Sequence, residues 1–119
     1  MKSKIQQGSM AETLAYRYLE AQGLNLIKQN YRCRLGEVDL IMLDGQYLVF
    51  IEVRSRSDHR FGTPAETVSK IKQKRLIRTA SYYLQRHSIH MPCRFDIIAI
   101  THKDQRHIVE WIKNAFQSV

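Results

Sequence analysis

The chain has 119 residues, enough for one domain with a real core and too few for two. Its hydrophobic fraction of 44% is ordinary for a globular protein, but 19 Lys and Arg against 11 Asp and Glu give a net charge of +8 and a pI near 9.8. That imbalance points to a polyanionic partner, nucleic acid first and an acidic membrane surface second. No apolar run approaches the ~20 residues of a membrane span, and Met1 to Gln7 leads into no apolar leader segment. Cys33 and Cys93 lack CxxC spacing and suit a reducing compartment, so a cytoplasmic protein without a disulfide framework is expected.

Residues 1–8 are polar and are expected to fray. Ser9-Met10-Ala11-Glu12 has the Ser-x-x-Glu form of a capping box, which predicts a helix start at that point. Ala11, Leu14, Ala15, Tyr18 and Leu19 recur at helical spacing, and Gly23 is placed to end the helix. On spacing alone Glu12 is the capping acid. Leu24 to Arg34 reads as a strand with Leu24, Leu26 and Tyr31 inward and Lys28, Arg32 and Arg34 outward.

Leu35 to Arg56 is the centre of the sequence. Two runs rich in Val, Ile, Leu, Phe and Tyr flank Asp44-Gly45, which predicts a β-hairpin. Glu37, Asp39 and Glu52 interrupt those runs, where a buried strand would not choose acids. A two-residue loop at Asp44-Gly45 sets Asp39 and Glu52 diagonally on one face. A loop from Asp44 to Tyr47 sets them directly opposite, and a three-residue loop separates them onto opposite faces. Crowded carboxylates repel, and a divalent cation such as Mg²⁺ relieves that repulsion. Spacing alone leaves open a solvated strand face with ordinary surface acids.

Ser55 to Gly62 is a polar, basic loop carrying Arg56 and Arg60. It is either a plain connection or a segment that touches a phosphate. Thr63-Pro64-Ala65-Glu66 has the form of a helix start, with a Thr cap and Pro at the first position. The helix is expected to run to Arg86 and to bury Val68, Ile71, Leu76, Ala80, Tyr83 and Leu84. Its other surface carries Lys70, Lys72, Lys74, Arg75 and Arg78 against the single acid Glu66. A solvated helix normally mixes signs, so a phosphate-backbone surface is one explanation and solubility is the other. Arg94 to Ile100 reads as a buried strand in which Asp96 is the anomaly, pairing with an arginine or capping a turn. Arg106 to Trp111 reads as a final strand and Ile112 to Phe116 as a short terminal helix. The histidines are scattered and none is assigned to catalysis.

The combined pattern resembles a known family. Asp39, then Glu52-Val53-Arg54 at the end of an apolar strand, looks like the metal site of the PD-(D/E)xK nuclease superfamily. The closer resemblance is to the YraN family of endonuclease-like bacterial proteins. It rests on Gly8 with Ala11-Glu12, Gln29-Asn30-Tyr31-Arg32, Gly36-Glu37-Val38-Asp39-Leu40-Ile41, Phe50-Ile51-Glu52-Val53-Arg54-Ser55-Arg56, Lys70 to Lys74, Arg94-Phe95-Asp96 and Trp111 to Phe116. It covers nearly the whole chain in order.

The resemblance implies an α/β, restriction-endonuclease-like sandwich. Its mixed sheet would follow the order α-β-β-β-α-β-β, with a short C-terminal helix. It implies Mg²⁺ or Mn²⁺ held by Asp39, Glu52 and the Val53 carbonyl, with Asp39, Glu52 and Arg54 as the catalytic set and Glu12 and Glu37 as secondary candidates. The expected activity is hydrolysis of DNA phosphodiesters, extending to branched or repair intermediates, by an endonuclease or exonuclease. The expected phosphate contacts are Arg56, Arg60, Lys70, Lys74 and Arg78, with DNA favoured over RNA, no membrane partner and room for a homodimer. Arg54 departs from the pattern, which usually has Lys there. An arginine stays charged and cannot act as a base, though its planar fork can brace a phosphate. A nucleic-acid-binding protein with weak or no cleavage is therefore the second expectation.

Overall fold

The two apolar runs around Asp44 pair as an antiparallel hairpin, β2 (Gly36–Asp44) and β3 (Tyr47–Arg56). A computed structural model describes residues 4–57 and 68–117, with side chains from Met10 onward. The turn is Gly45-Gln46, with Asp44 paired to Tyr47 and Gly45 at a left-handed φ of 59°. Of the three registers considered, this is the one that, continued one step past the last pair, Leu40 and Ile51, brings Asp39 level with Glu52. β1 (Asn25–Cys33) adds antiparallel to β2 through a second tight turn at Arg34-Leu35.

Helix α1 (Lys4–Ala21) precedes the strands and α2 (Lys70–Arg86) follows them. β4 (Cys93–Lys103) then pairs parallel to β3, and β5 (Arg106–Phe116) pairs antiparallel to β4. The result is a mixed five-stranded sheet in the order β1-β2-β3-β4-β5. Apolar side chains leave it on both faces. Leu40, Met42, Val49, Ile51, Ile98 and Ile100 meet Ala11, Ala15 and Leu19 of α1. Ile41, Leu48, Phe50, Phe95 and Ile97 meet Leu76, Ala80 and Tyr83 of α2. Each fully buried aliphatic or aromatic side chain contributes roughly 1.5–3 kcal/mol, so each helix is held to its face by several such contacts. Among the described residues no helix is long and apolar enough to cross a membrane.

Three expectations change. α1 begins at Lys4, so Ser9 to Glu12 lies inside the helix rather than capping it; this releases Glu12 from a capping role. α2 begins at Lys70, where the Ser69 hydroxyl accepts the Lys72 N–H at 3.2 Å; the expected start at Thr63 to Glu66 falls outside the described residues. Leu76, Ala80 and Tyr83 set its buried stripe, and Ile71 lies roughly 140° around the helix from Leu76, 74% exposed instead of buried.

The third change is at the C-terminus, where Ile112 to Phe116 continues β5 instead of forming a helix. A register shift between Phe95 and Ile97 lets β5 pair through to Phe116, whose ring stacks on Phe95 at 5.1 Å. Asn114, at a φ of 52°, supplies the bend and donates its N–H to Asp96 Oδ1 at 2.9 Å.

Candidate active site

β2 and β3 stay paired only as far as Leu40 and Ile51. Beyond that point the Val53 N–H donates to Asp39 Oδ2 at 2.8 Å, so a carboxylate takes the place of a ladder carbonyl. The pleat also breaks here: Val38 and Leu40 lie two apart yet pack into opposite core clusters. On the neighbouring strand Gln29 pairs with Leu40 and Tyr31 with Val38, so Asn30 faces Asp39, and Asn30 takes a left-handed φ of 54°. A left-handed non-glycine residue in a strand is uncommon, and such strain concentrates at functional sites. The Asn30 side chain hydrogen-bonds Glu12 of α1, which brings the first-helix acid towards the same region.

Glu52 is 6% exposed and is met from the α2 side by Lys72, whose Nζ lies 2.7 Å from Oε1. Arg54 Nη1 is 3.8 Å from the same oxygen. Glu37, Asp39, Glu52, Lys72 and Arg75 line one open cavity of about 400 Å³. Gly36 forms part of its wall, and a Cβ there would stand 2.8 Å from Thr79 Oγ1 and 3.0 Å from Arg75 Cγ. A glycine at this turn lets α2 come close enough for Lys72 to reach the sheet.

Burial first, and then the nearby Glu52 carboxylate, pushes Asp39 from 3.8 up to about 7; the Val53 N–H and Lys72 pull the other way. Glu12 is also raised, by burial first, with Glu37 and Glu52 adding to it and the Asn30 bond opposing. These acids feel one another, and a cation placed among them would be stabilised by all of them. Among the described residues no group of three or more His, Cys, Asp and Glu side chains forms a ready metal cage. Two neighbouring carboxylates with waters and substrate oxygens are nonetheless the donor set that Mg²⁺ or Mn²⁺ takes, and the bonds above engage only one oxygen of each. The residues present fit such an ion.

The structure therefore brings together Asp39, Glu52, Val53 and Arg54, with Glu12 and Glu37 close by. Glu37 sits at the mouth, ion-paired across the strands to Arg32 at 3.1 Å; both side chains are largely exposed, so the pair contributes little to stability. Lys70, Lys74 and Arg78 lie exposed on α2, which carries no acid from Lys70 to Arg86. Arg56 is half-buried at the end of β3, and Arg60 lies outside the described residues.

Sequence reasoning missed the role of Lys72, grouping it with the basic outer surface. The signal was present, because Lys72 stands four residues before Leu76, on the stripe that Ala80 and Tyr83 continue. A cation on a buried stripe requires an acid on the facing strand, and Glu52 is that acid.

Comparison with known proteins places the chain. A profile described as "Uncharacterised protein family UPF0102" matches residues 11–100. The UPF0102 protein of Nitrosomonas europaea is 49% identical over 116 residues, covering 98% of each chain. That of Methylobacillus flagellatus is 50% identical over 113 residues, covering 95% of this chain and 98% of its own. The relative in Janthinobacterium sp. (strain Marseille) is 49% identical over 111 residues, covering 93% and 87% respectively.

Proposed function

This chain belongs to the UPF0102 family, which is also the YraN family its motifs resemble, and we propose that it is a metal-dependent nuclease hydrolysing phosphodiester bonds of DNA. The observation that carries the reading is that Asp39 and Glu52 line one cavity together with Arg32, Lys72 and Arg75, with the Asp39 charge penalised by burial and by Glu52. A protein that only bound nucleic acid would gain nothing from placing two repelling acids where phosphate must approach. The five-stranded sheet with one parallel pair and a helix on each face supports the restriction-endonuclease-like fold that the resemblance implies.

Mg²⁺ or Mn²⁺ at Asp39 and Glu52, with the Val53 carbonyl as a further donor, would supply Lewis-acid stabilisation of the phosphoryl group and acidify water. The chain's own groups do the rest. Lys72 holds the Glu52 carboxylate in place through their 2.7 Å ion pair. Arg54 offers its planar fork of donors to the charge that builds on the phosphoryl oxygens. Lys70, Lys74 and Arg78 hold the backbone without reading sequence. Lys72 thus supplies from α2 the ammonium group that Arg54 does not supply from β3.

A specific observation also favours a second reading. Lys72 already neutralises Glu52 at 2.7 Å, and in a nucleic-acid-binding protein without cleavage that pair would be the end of the matter. One experiment separates the two. Labelled single-stranded, duplex, flapped and four-way-junction DNA is incubated with protein in Mg²⁺, Mn²⁺ or EDTA, with Asp39→Ala and Glu52→Ala alongside. Cutting that needs metal and disappears in both variants is the expected result. Binding without cutting, equal in wild type and variants, would leave the second reading.

A further inference from the structure

A second concentration of chemistry lies on the β4–β5 hairpin. Asp104 and Gln105 form its two-residue turn, and their φ values are 51° and 62°. Positive φ at both central positions is the turn geometry that matches strand twist. It fixes the register so that His102 stands directly opposite His107. The two rings meet edge to face with centroids 4.7 Å apart, and their Nδ1 atoms are 2.7 Å apart. On its other side His102 Nε2 lies 2.8 Å from Ser55 Oγ of β3. Ser55 is three residues beyond Glu52 on that strand and so faces the other side of the sheet from it.

A neutral imidazole has one N–H and one bare nitrogen. With Nε2–H donated to the Ser55 hydroxyl, His102 turns a bare Nδ1 towards His107. The close approach is then met in one of two ways. The His107 Nδ1–H donates to His102, or both nitrogens widen slightly and give their lone pairs to one cation. The Ser55 contact prepares the second arrangement, because metal-binding imidazoles characteristically donate the other ring N–H to a fixed acceptor. Imidazole nitrogen suits Zn²⁺, Cu²⁺ and Ni²⁺, whereas Mg²⁺ takes oxygen. Among the described residues no third His, Cys, Asp or Glu completes a cage, which makes the site open and exchangeable rather than a closed four-ligand zinc site.

We propose that His102 and His107, with Ser55 orienting His102, form a bidentate site for a borderline divalent transition-metal ion such as Zn²⁺. This site is separate in face, ligand chemistry and metal preference from the carboxylate cavity, and it stands whether or not that cavity cleaves DNA. The hairpin register fixes both ligands before the ion arrives, so ion binding pays little to order them.

Calorimetric titration of metal-free full-length protein with zinc chloride, in excess Mg²⁺, tests it. One saturable ion is expected, with affinity at least tenfold weaker in His102→Ala and in His107→Ala. Ser55→Ala should weaken it by a smaller factor, and the Asp39→Ala, Glu52→Ala double variant should leave it unchanged. On wild-type protein, the imidazole ¹⁵N resonances of His102 and His107 should move with zinc while those of His87 and His90 do not. The proposal is overturned by the absence of saturable binding, by binding that survives both histidine variants, or by loss in the carboxylate variant alone.

Discussion

Lys72 of α2 places its ammonium nitrogen 2.7 Å from Glu52 Oε1 of β3, joining the helix layer to the strand that carries half of the carboxylate pair. Lys72 is 40% exposed while Glu52 is only 6% exposed, so the pair is neither a surface bridge nor a fully buried one. Lys72→Met leaves the Glu52 charge in a poorly solvated place. A loss of about 1–2 kcal/mol follows, above the surface range and below the 3–5 kcal/mol of a deeply buried pair. DNA cleavage should fall by roughly 10²–10³, the usual effect of removing one stabilising donor at a developing charge. Urea unfolding and single-turnover cleavage read the two effects separately. A variant that kept full cleavage would remove Lys72 from the reacting centre.

Asp39 makes stability depend on pH in a defined direction. Its folded value of about 7 lies above the ordinary 3.8, so its contribution to folding is fully present below about 3.8 and is lost as pH rises through about 7. Asp39→Asn lacks that titration. In EDTA, wild type and variant should be nearly equal at pH 4, and the variant should be the more stable at pH 8. The ceiling on the gap is roughly 4 kcal/mol at 1.36 kcal/mol per pH unit. Added Mg²⁺ should raise the wild-type midpoint at pH 8 more than at pH 5 and leave the variant unmoved. A wild type that gained stability over the variant with rising pH, without metal, would contradict the burial of this charge.

How much of this was legible depends on the kind of signal each residue carries. The hairpin could be read because apolar alternation and a turn residue are local. The approach of Asp39 to Glu52 followed once the turn was fixed at Gly45-Gln46, which sequence left open among three registers. Lys72 was miscast because its partner lies on another layer, and only the packing of α2 on the sheet shows that this side of the helix meets Glu52. The terminal strand was misread because Ile112 to Phe116 has no decisive local period. Its conformation is set by Asp96 and Phe95 of the neighbouring strand.

Asp96 is the anchor of that far end. It is fully buried, and it accepts from Arg94 Nε at 3.0 Å, Trp111 Nε1 at 2.9 Å and the Asn114 N–H at 2.9 Å. Arg94 also donates to Asp44 at 2.7 Å, tying the β2–β3 turn to the same network. Asp96→Ala leaves the half-buried Arg94 guanidinium with Asp44 alone and two N–H donors short of an acceptor, and about 2–4 kcal/mol should be lost. Trp111 is the chain's single tryptophan, so its fluorescence reports the same event in equilibrium unfolding. A loss below about 1 kcal/mol would show that water replaces the carboxylate without penalty.

The basic side of α2 makes its own prediction about DNA. Lys70, Lys74 and Arg78 are exposed and lie on a helix free of acids. Lys74→Ala and Arg78→Ala should each weaken binding by a similar factor on unrelated duplex sequences. Each should also lower the slope of log affinity against log salt by about one ion. Fluorescence anisotropy in EDTA measures this without interference from cleavage. A sequence-dependent loss would mean that these cations read bases, and an unchanged salt slope would mean that the DNA lies elsewhere. Lys72→Met should alter the slope less than either, because its charge is already committed to Glu52.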